Sequence, residues 1–471
     1  MGGWPFADVT SCDKDVACMK FLSHIHAKLG DLWWYTILLF IAQRFSDVIN
    51  MFVGLWLVPR YVPMEELGTV LPITGFVGVI GLPLTIVSIP FQKFLMVFKD
   101  KGEEGKIAAM LYHVFLGTGV MAVVSILLAC FVLPLFFKCL RIETGSLGFL
   151  MTSVAILGAV TGIFHCAIGG LKLYATTVWM NLAAAPFRLV LMLIFMPFRP
   201  LSGFVIGQGA APAIGIFGSL WKLRRYLSHK VVRQPYWAEY GKLILRYTWP
   251  FAVWTVVGTI TSNVDTIVIR ERLQEVESAG YYVITRFSDI ASYLSCAFAL
   301  FLFPMASGIK TELGKRWKIL RQSLYGTIGC GCIVIGILAW IGKPLLGMVD
   351  TWCPYQGLSG HMVMTAAVNV LSGMVNCCVL YEIAQGRFRF MWYAVPLNLM
   401  KSFGLYFLAQ GDGFDAFAQS LGFDLRYCRL TAILTVFICA QVLLLIGFAI
   451  DLWRTMRREL DEERNPAGWR T

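Results

Sequence analysis

Seven charged residues sit well inside otherwise apolar stretches of this 471-residue chain: Arg44, Asp47, Arg188, Asp265, Arg286, Asp289 and Lys401. A charge near the centre of a hydrocarbon layer costs at least about 2.5–3.5 kcal/mol on insertion scales, so each asks for a reason. Arg44-Phe-Ser-Asp47 and Arg286-Phe-Ser-Asp289 are one motif used twice. The i, i+3 spacing puts base and acid on a common helix face. Two uses stand side by side. Each Arg can neutralise its own Asp, or the arginines can face a cavity and hold an anion. Guanidinium suits the second task, because it stays charged and offers forked donors to phosphate oxygens. Arg188 and Lys401 either widen that basic lining or reach toward the interface on their long stems. Asp265 has no obvious local partner. It is hydrogen-bonded for structure, or it takes part in sodium or proton coupling with Asn263, Asn369, Asn376 or Asn398 as neutral oxygen donors. Glu382, close to Arg387, reads as half of an interfacial salt bridge, and His113 and His165 lack ligand spacing. Four bases against three acids tilt the interior toward an anionic cargo.

The elements that position these residues are membrane spans. Hydrophobic residues make up 58% of the chain and charged residues 14%, against roughly 25% charged in soluble domains. The apolar blocks run about 20 to 28 residues, enough to cross a slab of about 30 Å as helix. Spans are expected near 33–58, 69–97, 107–137, 146–169, 174–197, 201–222, 247–269, 280–307, 320–342, 361–385, 390–410 and 429–453. The fold class is therefore an all-α polytopic membrane protein. Residues 1–32 form a polar N-terminal segment with a short surface helix from Lys14 to Lys28, and 454–471 a charged tail. Of the 13 cysteines, most lie in apolar blocks as small hydrophobes, and no spacing resembles a zinc site. Cys353 and Cys428 fall in outer loops, where a bridge between them is compatible with the topology.

Loop charge sets the orientation. With the N-terminus inside, the inner segments hold 27 of the 40 Lys and Arg residues and the outer loops nine. That bias places both termini in the cytoplasm. The net charge of +12 is then topology and inner-leaflet contact, not nucleic-acid binding. Tyr236-Trp237-Ala-Glu-Tyr240 is expected to lie at headgroup level.

The longest inner loop, 223–246, divides the chain into halves at 33–222 and 247–453, and the halves echo each other. Glu65-Glu66-Leu67-Gly68 answers Glu277-Ser278-Ala279-Gly280, each followed by a proline, Pro90 and Pro304. Ala167-Ile-Gly-Gly170-Leu-Lys172 with Asn181 answers Ala384-Gln-Gly386-Arg387 with Asn398. Two six-span halves in one orientation suit a transporter whose site lies between the repeats.

The stretch Asn263-Val-Asp265-Thr-Ile-Val-Ile-Arg270, then Ala279-Gly280-Tyr281-Tyr282, Arg286 and Phe303-Pro304, resembles the start of the second half in oligosaccharide flippases. These belong to the multidrug/oligosaccharidyl-lipid/polysaccharide (MOP) exporter superfamily. The Gln385-Gly386-Arg387 hairpin is similar to that family as well. Twelve spans, not fourteen, match the capsule, O-antigen or exopolysaccharide branch. The resemblance implies a MATE-like fold of two six-helix lobes around a central cavity. It also implies alternating-access movement of undecaprenyl-pyrophosphate-linked oligosaccharide across the bacterial cytoplasmic membrane, by a monomer working beside polysaccharide polymerase and glycosyltransferases. Arg44 and Arg286 would then hold the pyrophosphate, with Arg188 and Lys401 beside them, and Asp47, Asp289, Asp265 and Asn369 would serve ion pairing or coupling. A cation-coupled multidrug antiporter is the rival within transport, though such antiporters favour carboxylate-rich cavities. A membrane-embedded polymerase or glycosyltransferase is the rival among enzymes. In the longest outer loop, about Gly411 to Tyr427, its only candidate acids would be Asp412, Asp415 and Asp424, and Gly411-Asp412-Gly413 reads as turn chemistry. No cofactor is expected, and no Walker-type nucleotide loop occurs.

Overall fold

The structure is a computed structural model that describes residues 38–63, 78–140, 145–228, 232–272, 275–306, 313–348, 350–410 and 425–464. In chain order its helices are α1 (Leu38–Tyr61), α2 (Leu82–Lys101), α3 (Glu104–Leu140), α4 (Gly145–Gly170), α5 (Tyr174–Phe195) and α6 (Pro200–Leu227). The second six are α7 (Trp237–Arg272), α8 (Glu275–Ala306), α9 (Leu313–Gly347), α10 (Ser359–Ala384), α11 (Met391–Gln410) and α12 (Leu425–Arg464). A 3-10 segment, Asp350–Leu358, leads into α10. No strand occurs among the described residues, and ten of the helices are long and apolar enough to cross a membrane. The remaining two, α8 and α11, carry Arg286, Asp289 and Lys401. All twelve fall where the apolar blocks place spans. Outside the described residues lie the Lys14 to Lys28 stretch, the Glu65 to Gly68 turn, the loop 411–424, the side chains of Asp265, Cys353 and Cys428, and the tail beyond Arg464.

Packing in the first half repeats in the second. The pairs α2–α4, α3–α4, α4–α6 and α5–α6 have counterparts in α8–α10, α9–α10, α10–α12 and α11–α12. The α4–α5 and α10–α11 turns are the same Schellman motif. In one, Leu173 N–H donates to Ile168 O (2.9 Å) and Lys172 N–H to Gly169 O (3.0 Å). In the other, Arg387 N–H donates to Glu382 O (2.9 Å) and Gly386 N–H to Ile383 O (2.9 Å). Lys172 (φ 58) and Gly386 (φ 71) are thus the equivalent left-handed residues. The sequence echo, which sets Gly170 against Gly386, is out of register by two. It slipped because a lysine occupies a conformation that ordinarily selects glycine. An ion pair from Lys172 to Asp100 fastens that turn to the end of α2.

The halves meet along α2 and α7. Phe94 stacks edge-on against Tyr247 (6.4 Å), Phe98 against Tyr240 (5.0 Å), and Lys93 Nζ lies 3.8 Å over the Tyr247 ring. Lys101 donates to the Tyr240 hydroxyl (2.6 Å), and Lys106 pairs with Glu239 (2.5 Å). Helix α6 continues to Leu227 and α7 begins at Trp237, so little of the expected 223–246 loop is loop. Its last residues are fastened too, since Gln234 N–H donates to Gly105 O (3.1 Å). Tyr236 and Tyr240 are buried in this seal, packed against protein. Aromatic faces there answer lysines and Phe98, and only Trp237 stays exposed. On the outside, α3 presents Leu116, Val120, Val123, Leu127 and Phe131, a surface fitted to lipid.

Tight helix contact rests on small residues. A Cβ on Gly170 would sit 2.8 Å from Leu95 Cβ and 2.9 Å from the Gln92 carbonyl oxygen, whereas one on Gly117 meets nothing within 4 Å. Gly170→Ala is expected to lower the stability of the detergent-purified protein by about 1–3 kcal/mol. Gly117→Ala should leave thermal unfolding unchanged or raised, and equal losses in the two variants would refute this account of the α2–α4 contact.

Candidate functional site

Helix α1 brings the first charges to the boundary between the halves. Arg44 pairs with Asp47 at 3.0 Å, and Gln43 donates to the same carboxylate at 3.1 Å. The Arg44 guanidinium also donates to the backbone carbonyl of Tyr293 in α8, so it bridges the two halves. Beyond this pair, α1 widens into a π-helical turn over Val53–Leu57. Pro59 supplies the cause. Its ring lacks an N–H and crowds the carbonyl four residues back, and an i→i+5 turn makes room. Gly54 lies in this turn facing α8, where a Cβ would come to 3.4 Å from Arg286 Cδ.

Helix α8 supplies the matching motif. Arg286 pairs with Asp289 at 3.0 Å and lies 5.0 Å from the Tyr282 ring centroid. Asn369 of α10 donates to Ser288 O (3.0 Å), next to that acid, and Ser288 Oγ donates to Met362 O (2.9 Å), tying α8 to α10. The neutralising use of each Arg–Asp pair is thus present in both halves.

Arg188 differs from both. It is 8% exposed, and its one hydrogen bond is to a neutral acceptor, Gln208 Oε1 of α6, at 3.3 Å. Its Nε and Nη2 have no hydrogen-bond partner among the described residues. Asp47 acts on it through space without an ion pair. Arg188, Gln208, Arg286, Tyr293 and Asn50 line a cavity of about 370 Å³, with Gly54 and Tyr282 at the α1–α8 boundary. Apolar residues of α4 and α6, among them Met151, Val154 and Phe204, complete the wall. The charged residues in this lining are the two arginines, and no acid is among the described lining residues. Such a space offers unsatisfied donors and an apolar wall, the requirements of an anion carried on an amphiphile. It lies toward the end of the bundle opposite the α2–α7 seal.

The other sequence candidates fall elsewhere. Lys401 is buried on α11 with its Nζ 4.6 Å from the Phe437 ring centroid of α12, away from the cavity lining. Asp265 lies in α7, but its side chain is outside the described residues. Glu382 does not pair with Arg387, whose guanidinium instead meets Glu459 on α12. The Schellman turn explains this, because it ties the Arg387 backbone to the Glu382 carbonyl and leaves the side chain to reach α12. Sequence reading missed Gln43, Gln208, Tyr293 and the π-turn. Pro59 was the available signal for the last. The neutral residues carried none.

No family model matches the chain, and no curated protein matches it in sequence. Solved structures do match in shape. An inward-facing multidrug resistance MATE family transporter of the MOP superfamily aligns over 91% of this chain and 99% of its own, at TM-score 0.66 and 13% identity. An outward-facing MATE family transporter of the same superfamily aligns at TM-score 0.65 and 14% identity, over 92% and 97%. A point mutant of the Vibrio cholerae MATE transporter VcmN aligns at TM-score 0.60 and 14% identity, over 92% and 98%. The chain therefore has the MATE transporter fold.

Removing one member of a buried ion pair strands the other. Asp47→Ala is expected to destabilise the protein by about 3 kcal/mol or more. Asp289→Ala should cost less, because the Asp289 side chain is 21% exposed against 9% for Asp47. Thermal unfolding of the two purified variants checks the order, and the reverse order would show that the cavity charges are arranged differently.

Proposed function

We propose that this chain is a flippase that moves undecaprenyl-pyrophosphate-linked oligosaccharide from the inner to the outer leaflet of the bacterial cytoplasmic membrane by alternating access. The single observation that carries this reading is Arg188, buried at the cavity wall with Nε and Nη2 unpartnered beside Arg286. A pyrophosphate supplies the acceptors those atoms lack, and the apolar wall accommodates the polyprenyl end. Arg44 acts one step back, holding α8 through Tyr293 and balancing Asp47. Both termini face the cytoplasm in this scheme, so the α2–α7 seal closes the inner side and the arginine cavity serves the outer. Sodium or proton coupling would fall to the acids already paired near the cavity, Asp47 and Asp289, with Asp265 and Asn369. Polymerase and glycosyltransferases would supply and consume the lipid-linked sugar.

A second reading, a cation-coupled multidrug antiporter, draws on the likeness to multidrug resistance MATE transporters. The cavity counts against it, because a cationic drug would meet two guanidiniums and no described carboxylate in the lining.

The test is reconstitution in liposomes with a fluorescent undecaprenyl-pyrophosphate-linked oligosaccharide. Wild-type protein is expected to flip it, and Arg188→Ala to lose about ten-fold or more, the worth of a charge-assisted hydrogen bond pair. Arg188→Lys should recover only part, since an ammonium lacks the planar fork. Normal flipping by a folded Arg188→Ala variant would sink the pyrophosphate assignment. Uptake of a cationic dye driven by a sodium or proton gradient, with no lipid flipping, would establish the antiporter.

A further inference from the structure

A second cavity, of about 430 Å³, lies at the other end of the second half, between the α10–α11 turn and α12. Its ionisable lining is balanced: Glu382, Asp451 and Glu459 against Arg387, Arg389 and Arg458. Asp451, Arg458 and Glu459 recur at seven and eight residues along α12, so one helix face supplies them. A single ion pair, Arg387 with Glu459, is made among these six. Glu382 is 2% exposed, and its Oε1, Glu459 Oε2 and Arg387 Nη1 have no hydrogen-bond partner among the described residues. Buried polar atoms are nearly always satisfied, and an unpaired carboxylate oxygen in an apolar surround is costly. These orphaned atoms are both acceptors and donors. They call for an occupant that is both donor and acceptor.

Charge restricts that occupant. A simple anion meets three carboxylates, and a simple cation meets three guanidiniums. The described residues hold no group of three acids, histidines or cysteines fit for a metal ion. A zwitterion with an ammonium and a phosphate a few ångströms apart answers both signs. Depth restricts it further. Trp392, 87% exposed, starts α11 three residues after the lining residue Arg389, and Trp453, 49% exposed, lies on α12 between the lining residues Asp451 and Thr455. Outward-facing indoles at helix ends mark the headgroup level of a bilayer.

We propose that this cavity holds the headgroup of an aminophospholipid, with its ammonium on Glu382 and Asp451 and its phosphate on Arg389, Arg458 and the free Nη1 of Arg387. The lipid joins the α10–α11 turn to α12, a site separate from the transport cavity and independent of what that cavity carries.

The experiment compares lipids that differ in one chemical feature. Full-length protein is placed in nanodiscs of mixed phosphatidylethanolamine, phosphatidylcholine and phosphatidylglycerol, and native mass spectrometry reads which lipid stays bound. Phosphatidylethanolamine is expected to be retained about ten-fold over phosphatidylcholine, whose quaternary nitrogen has no N–H to give a carboxylate. Phosphatidylglycerol should be disfavoured likewise, as it lacks the ammonium. Glu382→Gln and Asp451→Asn should each erase most of that preference, with circular dichroism reporting the fold. Equal retention of the three lipids by wild type, which needs no variant, would overturn the proposal, as would full selectivity in both folded variants. Free O-phosphoethanolamine bound in phosphatidylcholine nanodiscs, without retention of phosphatidylethanolamine, would also overturn it in favour of a soluble zwitterion.

Discussion

A guanidinium inside an apolar bundle has to be answered, and the arrangement of the two halves follows from how three arginines are answered. Arg44 and Arg286 carry their own carboxylates one helical turn away, so their net field is small and the helices bearing them can be buried together. Arg44 has donors to spare and spends one on the backbone of the opposite half. Arg188 has a neutral amide and two unused donors. Under the proposed function the first two serve stability and the third recognition, a division that a tally of bases and acids does not reveal. Pairing lowers the cost of burial and removes binding capacity at the same time.

Most of the fold was legible because its signals are local. Apolar blocks long enough to cross a bilayer mark α1 to α12 without reference to any partner helix, and an i, i+3 pair such as Arg286–Asp289 is fixed by helix geometry alone. The site was legible only in part. Periodicity tells which residues share a face, but rotation of that face toward a cavity or a neighbour depends on packing between helices. For that reason Arg188 and Lys401, alike in sequence and in equivalent helices, part company: one lines the cavity and the other lies against Phe437. Arg387 shows the same limit, since its partner Glu459 is 72 residues away and its near neighbour Glu382 is left unpaired. The left-handed Lys172 hid the true register of the repeat for a simpler reason. Its residue type gives no warning of its backbone.

The two ends of the molecule are built from different chemistry. At the α2–α7 seal, lysines lie on tyrosine faces and hydroxyls, contacts that pair each ammonium with an aromatic partner. At the arginine cavity the boundary between halves is thin: a glycine in a widened turn against the stem of Arg286. A packed aromatic end and a sparse, polar end give the halves one extensive contact and one slight one. This is the asymmetry expected of rocking about a fixed site.

The fastened linker turns that asymmetry into mechanics. With Gln234 tied to the Gly105 carbonyl and Lys106 to Glu239, the described end of the connection between halves is anchored to the start of α3. Helix α7 starts beside that anchor and extends 36 residues from it, with Pro250 in its first half, a path of about 54 Å along the helix axis. A tilt of roughly 10° of a straight rod of that length sweeps its far end by roughly 9 Å. In the proposed alternating-access cycle, small losses of contact among Phe98, Tyr236 and Tyr240 would be geared up into a large change of aperture at the opposite face.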